Sequence, residues 1–229
     1  MRKTALCLLP FLAAPAFAES LNYNVVSFSE QATMTVPQDL MTVNLMVHEE
    51  GSNRQNVSNT VTRRLNIVQA KIAENRALKA ELTDRRSHPQ YDKGKIVRWS
   101  DSAYLQVKSK DFQALNKLVA AVQKEAVLQG LHFSVSPEKR TETTNELSKQ
   151  ALKNFQTRAK TISNTLGASG YKIVNININS SFQTRSAAAP VMLMAKSAMA
   201  YDAAPEMMAD NPGTEEISQT VSGSIQAQM

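Results

Sequence analysis

Three histidines are the side chains of this sequence best suited to metal binding or proton transfer, and they lie far apart along the chain. His48, His88 and His132 have no second ligand four residues away on a predicted helix. In the run His48-Glu49-Glu50, adjacent strand residues point to opposite faces, so only His48 and Glu50 can act together. The pattern favours a solvated strand end over a metal site, and we predict no metal ligands and no cofactor.

Other catalytic patterns lack the context that their chemistry needs. The seven glycines are isolated, so the sequence has no glycine-rich phosphate loop. The run Val221-Ser222-Gly223-Ser224 lacks the strand, elbow and helix that surround a nucleophilic serine. Further carboxylates do not cluster in the sequence: Asp84, Asp92, Asp101, Asp111 and Glu125. We predict no catalytic residue, and the alternative is an enzyme whose acid pair is assembled only by folding.

The first eighteen residues have the composition of an export signal peptide. A basic start at Arg2 and Lys3 and an apolar run lead to Ala16-Phe17-Ala18, which places small residues where a signal peptidase cleaves. The only cysteine, Cys7, falls within this segment, so a mature chain of residues 19–229 has no disulfide and no thiolate nucleophile. We expect a periplasmic protein, with peripheral association to the envelope or outer membrane as a further expectation.

The charge of the mature chain is small and dispersed. Without Arg2 and Lys3, the 26 basic residues become 24 against 20 acidic residues, a net charge of +4. We interpret the pairs Arg63-Arg64 and Arg85-Arg86 as solvent-facing, with contact to an anionic lipid or polyanion as the alternative. No later stretch approaches the roughly 18 apolar residues of a membrane helix. We therefore predict a soluble mature protein without a nucleic-acid partner.

Residues 183–213 are rich in alanine and methionine and show no periodicity. This segment holds half of the ten methionines: Met192, Met194, Met199, Met207 and Met208. We interpret it as a low-complexity loop within one domain of residues 19–229. Two alternatives remain open. One is an adaptable apolar surface for oligomer or membrane contact, and the other is a set of thioethers that binds Cu(I) or reacts with oxidants.

The elements that would position these side chains follow from hydrophobic periodicity, which predicts the order β-β-α-β-β-α-β-α-β-β. Alternating apolar residues predict strands over 22–36 and 41–47, which we expect to pair with each other across the break at Pro37-Gln38-Asp39. Because the first strand is unusually long, we expect part of it to project beyond its sheet and to contact another protomer.

Three amphipathic stretches predict helices. The first is capped at Ser52, the second begins after Asp111 and ends at Gly130, and the third begins with a capping box at Thr143 and ends at Gly167. The buried stripe of the first helix contains Val57, Val61, Leu65, Val68 and Ile72. Strands joined by short turns and interrupted by helices predict an α+β fold, mainly antiparallel sheet with about three helices packed on one face.

Four later strands are also predicted. Lys93-Gly94 predicts a hairpin turn between a strand that ends near Tyr91 and the strand that follows. From Tyr171 to Ser181, apolar residues alternate with asparagines, which predicts a strand with one wet face and one apolar face. Residues 216–226 form the last predicted strand.

The chain resembles the SIMPL-domain family of exported bacterial proteins from Val25 to Ile225. The resemblance is carried by Pro37-Gln38-Asp39, where the family has Pro-Asp, by Tyr91, by the third helix ending at Leu166-Gly167, and by Pro212-Gly213 before the last strand. It implies an α+β fold, assembly into ring-like or cage-like homo-oligomers in some members, and a link to oxidative and envelope stress. The family has no established catalytic residues, so none is carried over.

The residues and the resemblance together predict a non-enzymatic exported protein that forms a homo-oligomer and supports tolerance of envelope or oxidative stress. The alternative is a Cu(I)-binding or oxidant-handling protein that acts through the methionine-rich loop.

Overall fold

The computed structural model describes residues 23–185 and 212–229. These residues form ten elements: β1 (Val25–Pro37), β2 (Leu40–Gly51), α1 (Arg54–Ala73), β3 (Lys79–Asp92), β4 (Lys95–Ser109), α2 (Phe112–Ala121), β5 (Val127–Ser134), α3 (Pro137–Thr165), β6 (Gly170–Arg185) and β7 (Thr214–Gln228). The predicted element order and the α+β class are confirmed. The predicted signal peptide lies outside the described residues, as does nearly all of the alanine- and methionine-rich segment.

The strands divide between two antiparallel sheets. One has the order β1-β7-β6 and is covered by α3, and the other has the order β3-β4-β2-β5 and is covered by α1 and α2. Each sheet has its own buried apolar core with its helices. We call these the three-stranded unit and the four-stranded unit.

The predicted pairing of β1 with β2 is wrong. β1 pairs with β7 along its whole length, from Val25 opposite Gln226 to Pro37 opposite Thr214, so it does not project beyond its sheet. β2 pairs with β4 and β5 in the other unit. The proline ends the ladder of β1 because it has no backbone N–H, and the chain then crosses into the other unit.

In the four-stranded unit, α1 packs on the central strands β2 and β4. All five residues of the predicted stripe of α1 are buried, which confirms the face of this helix. Its N-cap is Asn53 and not the predicted Ser52, because Asn53 Oδ1 accepts a hydrogen bond of 3.0 Å from the backbone N–H of Asn56. The hairpin at Lys93-Gly94 is confirmed, with positive φ at both residues, as a type I′ turn requires.

The ends of the other two helices differ partly from the prediction. Asp111 caps α2 as predicted, but α2 ends at Ala121, and Gly130 lies within β5 opposite Asn44, next to an irregularity in the ladder. α3 begins at Pro137, six residues before the predicted Thr143. Proline suits the first position of a helix because its φ is already helical and that position needs no N–H donor.

In the three-stranded unit, α3 lies over β1 and β7, with Phe155 fully buried at the centre. Its ring stacks on Phe28 with centroids 4.4 Å apart. Gly223 of β7 lies beneath this ring, and a Cβ there would come within 2.3 Å of the carbonyl oxygen of Asn175 and 3.1 Å of Phe155. Only glycine therefore allows this close approach of β6, β7 and α3.

A buried ion pair fixes the N-terminal half of α3 to the same sheet. Glu215 of β7 has a side chain that is only 4% exposed, and both of its oxygens accept hydrogen bonds from the guanidinium of Arg140. The guanidinium also lies over the ring of Phe182 in β6, 4.7 Å from its centroid. Arg140 therefore contacts both neighbouring strands, β6 and β7.

The four-stranded unit is inserted in the sequence between β1 and α3 of the three-stranded unit, so the chain crosses from one unit to the other twice. Asp39 links these two crossings. The first crossing contains Asp39 and the second contains Ser136, the N-cap of α3. Asp39 accepts hydrogen bonds from the backbone N–H of Ser136 at 2.7 Å and from its hydroxyl at 2.8 Å. Lys110 lies 3.6 Å from Asp39 and 3.2 Å from Glu138. The carboxylate therefore joins both crossings at the positive end of α3.

We predict that Asp39→Ala lowers the free energy of unfolding at pH 7 by about 1–3 kcal/mol, because it leaves the donors of Ser136 without this acceptor. Burial raises the pKa of Asp39, but the two bonds from Ser136 and the charge of Lys110 outweigh it, so the pKa lies below its usual 3.8. The stabilisation is therefore present above about pH 4 and is lost as the pH falls through the lowered pKa.

Urea unfolding of the wild type and Asp39→Ala at pH 7 and pH 3 measures this difference. Asp39→Asn is the matched control, since it keeps an acceptor for Ser136 but has no titrating carboxyl group, and we expect a smaller loss. Equal stability of Asp39→Ala and the wild type at pH 7 would contradict the assigned role.

Candidate functional site

The arrangement closest to a catalytic site lies on the helix-free face of the four-stranded sheet. His48 of β2 faces Ser102 of β4, with Nδ1 2.9 Å from the hydroxyl oxygen. The other ring nitrogen, Nε2, lies 3.4 Å from Oε1 of Glu50. The prediction that His48 and Glu50 share a face is confirmed. The serine contacts the histidine and the histidine contacts the carboxylate, which is the order of contacts in the catalytic triad of serine hydrolases.

This arrangement lacks what nucleophilic catalysis requires. Ser102 is only 6% exposed and lies in the middle of a strand, without an elbow to present its oxygen. Glu50 also accepts hydrogen bonds from Arg98 at 3.1 Å and Gln90 at 3.2 Å. The bond from Arg98 contributes most to a lowered pKa of Glu50, with desolvation opposing it. We therefore interpret the group as a polar ladder that links β2, β3 and β4.

Three of the five scattered carboxylates have separate structural roles. Asp101 is buried and forms an ion pair with Arg85, whose Nη2 lies 3.0 Å from Oδ2. Asp84 pairs with Arg86 next to it on β3, and Asp111 caps α2. Across residues 23–185 and 212–229, no three histidine, cysteine or acidic side chains lie close enough together to hold a metal ion.

The interpretation of both basic pairs as purely solvent-facing is wrong in part. The Arg85 guanidinium also donates to the carbonyl and hydroxyl oxygens of Ser58 and to the hydroxyl of Thr62, so it anchors β3 to α1. Arg64 pairs with Glu49 at 2.9 Å. Arg63 is exposed as predicted. Arg64 and Arg85 are therefore held by neighbouring side chains, whereas Arg63 and Arg86 are exposed, and contact with a polyanion stays a prediction.

The clefts of the described residues differ in their linings. Asp84 lines one cleft and Glu30 lines another. A third, of about 520 Å³, lies on the outer side of α1. It is lined by Asn59, Thr62, Arg63, Asn66, Ile67 and Ala70. This lining lacks histidines and carboxylates, so it contains no general acid or base of the usual kinds. The five methionines of the proposed Cu(I) or oxidant site lie outside the described residues, and that alternative stays a prediction.

The most unusual surface is the outer edge of β6. Tyr171 to Ser181 has the predicted wet face of asparagines, but its apolar face is also open, with Ile176 38%, Ile178 41% and Phe182 46% exposed. α3 packs mainly over β7 and β1, so β6 lies at the rim of the helix. Within the part of the chain that the structure describes, no strand pairs with the outer edge of β6.

This edge differs from the other three sheet edges in its lack of protection. Residues 173–184 of β6 contain no charged residue, proline or glycine. The irregularity in the ladder of β6 with β7 lies at the start of this stretch, between Ile173 and Asn175. β3 carries several charges and Pro89, β1 carries Glu30 and Pro37, and β5 is short and interrupted beside Gly130. Charges, prolines, bulges and short length are the features that prevent pairing between sheet edges. β6 therefore has the composition of a strand that accepts a partner strand.

Sequence reasoning missed this surface because alternation alone predicts a half-buried strand and does not show which neighbour covers it. The twelve-residue stretch without charge, proline or glycine was the available indication. The sequence instead predicts the oligomer contact on the long first strand, which pairs with β7 along its whole length.

Comparison with known proteins gives one informative match. The model of SIMPL, a protein family of unknown function (DUF541), matches residues 26–225. No curated protein matches the sequence. Among the described residues, no helix is both long and apolar enough to cross a membrane.

Similar solved structures are distant from this chain. An amidase of the hydantoinase/carbamoylase family from Burkholderia vietnamiensis is 11% identical, with a TM-score of 0.30 over 46% of this chain and 29% of that chain. A putative amidohydrolase/peptidase from Burkholderia cenocepacia is 9% identical, with a TM-score of 0.31 over 56% of this chain and 35% of that chain. The matches thus span about a third of these enzymes. Likenesses this weak carry no argument about function.

We predict that the protein is not labelled by a fluorophosphonate probe, because Ser102 is buried in the middle of a strand and Glu50 is held by Arg98 and Gln90. Gel fluorescence after incubation with the probe measures this, with a serine hydrolase as positive control. Labelling that disappears in Ser102→Ala but persists in Ser100→Ala would contradict the structural interpretation and favour an enzyme.

Proposed function

The chain belongs to the SIMPL family, and from that premise we propose that it is a non-enzymatic exported protein that forms a homo-oligomer and supports tolerance of envelope or oxidative stress. The observation that carries the proposal is the unprotected edge of β6. An edge of this composition is expected to pair in any concentrated solution, and a second copy of the chain is always available at the same concentration.

The exposed apolar side chains support self-association. Ile176, Ile178 and Phe182 lie on the face of the sheet that α3 occupies, beside the unpaired backbone of β6. A strand added to this edge would pair the backbone groups and at the same time cover part of these side chains. Backbone pairing and apolar burial therefore favour the same contact.

The non-enzymatic part of the proposal is supported by the roles of the polar groups. The polar side chains that resemble reactive groups, Ser102, His48 and Asp101, are engaged in contacts between strands and helices. Export is supported by the basic start, apolar run and small residues of the first eighteen positions. The link to stress tolerance is supported by the resemblance described above.

We predict that Ile178→Lys dissociates the oligomer. The substitution places a charge in the uncharged stretch of β6, where two copies would bring like charges together. Light scattering coupled to size exclusion at micromolar concentration should give a multiple of the chain mass for the wild type and the single chain mass for Ile178→Lys.

Gln31→Lys is the matched control, because Gln31 is exposed on β1, the opposite edge of the same sheet. We expect it to leave the oligomer intact, and circular dichroism should show the same secondary structure for both variants. A wild type that is strictly monomeric, or identical masses for the two variants, would contradict the proposal.

A further inference from the structure

We propose that two copies of the chain join β6 to β6 in antiparallel orientation about a twofold axis at Asn177. This inference rests on the proposed self-association and adds its partner strand, symmetry and register. It would produce one continuous sheet of six strands, three from each copy, with the order β1-β7-β6-β6-β7-β1.

The sequence of β6 is self-complementary about this point. The run Asn175-Ile176-Asn177-Ile178-Asn179 reads identically in both directions. In an antiparallel pair centred on Asn177, Asn175 faces the partner's Asn179 and Ile176 faces the partner's Ile178. Every residue of the run therefore faces a residue of its own type, and the contacts are reciprocal, as in an isologous interface.

The faces of the sheet agree with this pairing. Ile176 and Ile178 lie opposite Gly223 and Val221 of β7, on the side covered by α3, while the three asparagines point to the other side. A twofold axis perpendicular to the sheet keeps each side chain on its own side. Isoleucine then packs against isoleucine on the side of the two α3 helices. The asparagines form amide pairs on the side of the sheet away from α3.

Neighbouring registers are less favourable. Centring the pair on Ile178 sets Ile176 against Ser180, which opposes an apolar side chain with a hydroxyl. Centring the pair on Ile176 sets Val174 against Ile178, so the irregularity between Ile173 and Asn175 would lie within the paired residues. A bulge disrupts regular pairing on the strand that carries it. The register at Asn177 uses only the regular part of β6.

Single cysteines test this register directly. The full chain with Cys7→Ser has no other thiol, so each introduced cysteine is the only one. In the proposed pair, Asn177→Cys meets itself across the axis at a distance that a disulfide spans. Asn179→Cys does not, because four residues of extended strand separate the two copies by about 13 Å.

We expect Asn177→Cys to form a disulfide dimer under mild oxidation, seen on a non-reducing gel, and Asn179→Cys to remain without one. A mixture of Asn175→Cys and Asn179→Cys chains, one carrying a size tag, should give the mixed dimer in preference to either like pair. Ser29→Cys on β1 is the control for random collision, because it lies on the opposite edge.

Cross-linking of Asn179→Cys as fast as Asn177→Cys would overturn the register. Absence of any cross-link while light scattering still shows an oligomer would overturn the β6 pair and leave the proposed self-association standing. A strict monomer in both measurements would overturn both.

Discussion

The carboxylate of Asp39 is the contact on which the arrangement of this protein depends. Within residues 23–185 and 212–229, the chain passes from the three-stranded unit to the four-stranded unit and back once, and Asp39 on the first crossing binds Ser136 on the second. Lys110 brings the start of α2 to the same point. The backbone N–H of Gln38 next to it donates to Gly213 just before β7. A single group of hydrogen bonds thus holds both units at the place where α3 begins.

The position of α3 explains why β6 is exposed. The helix starts at the junction, is held to β7 through Arg140 and Glu215, and buries Phe155 between β1 and β7. β7 is the central strand and receives most of this cover, whereas β6 lies beyond the rim. The same packing that stabilises the three-stranded unit therefore leaves an apolar strand edge open, and the proposed oligomer uses that edge.

Much of this fold could be predicted from local patterns, and the remainder depends on long-range pairing. The stripe of α1, the cap at Asp111, the turn at Lys93-Gly94 and the end of α3 at Gly167 are local features, and all are confirmed. The predicted start of α3 at Thr143 is wrong: Thr143 offers a capping pattern but lies inside the helix, which begins at Pro137, a residue that suits the first helical turn.

Strand pairing was harder to predict because alternation does not identify the neighbour of a strand. β1 and β7 lie near opposite ends of the chain. Hydrophobic periodicity does not show that a whole unit is inserted between β1 and α3. For the same reason, alternation in β6 predicts an apolar face but does not show that this face stays partly exposed. The pair of His48 and Glu50 was predictable because alternation along one strand sets it.

Amide hydrogen exchange of β6 as a function of protein concentration tests the central claim most directly. If β6 pairs with β6 of a second copy, the amides of residues 175–179 that point away from β7 should exchange slowly at concentrations where the oligomer forms and faster on dilution, while β7 stays protected throughout. Fast exchange of these amides at every concentration, in a sample that keeps β7 protected, would contradict the claim.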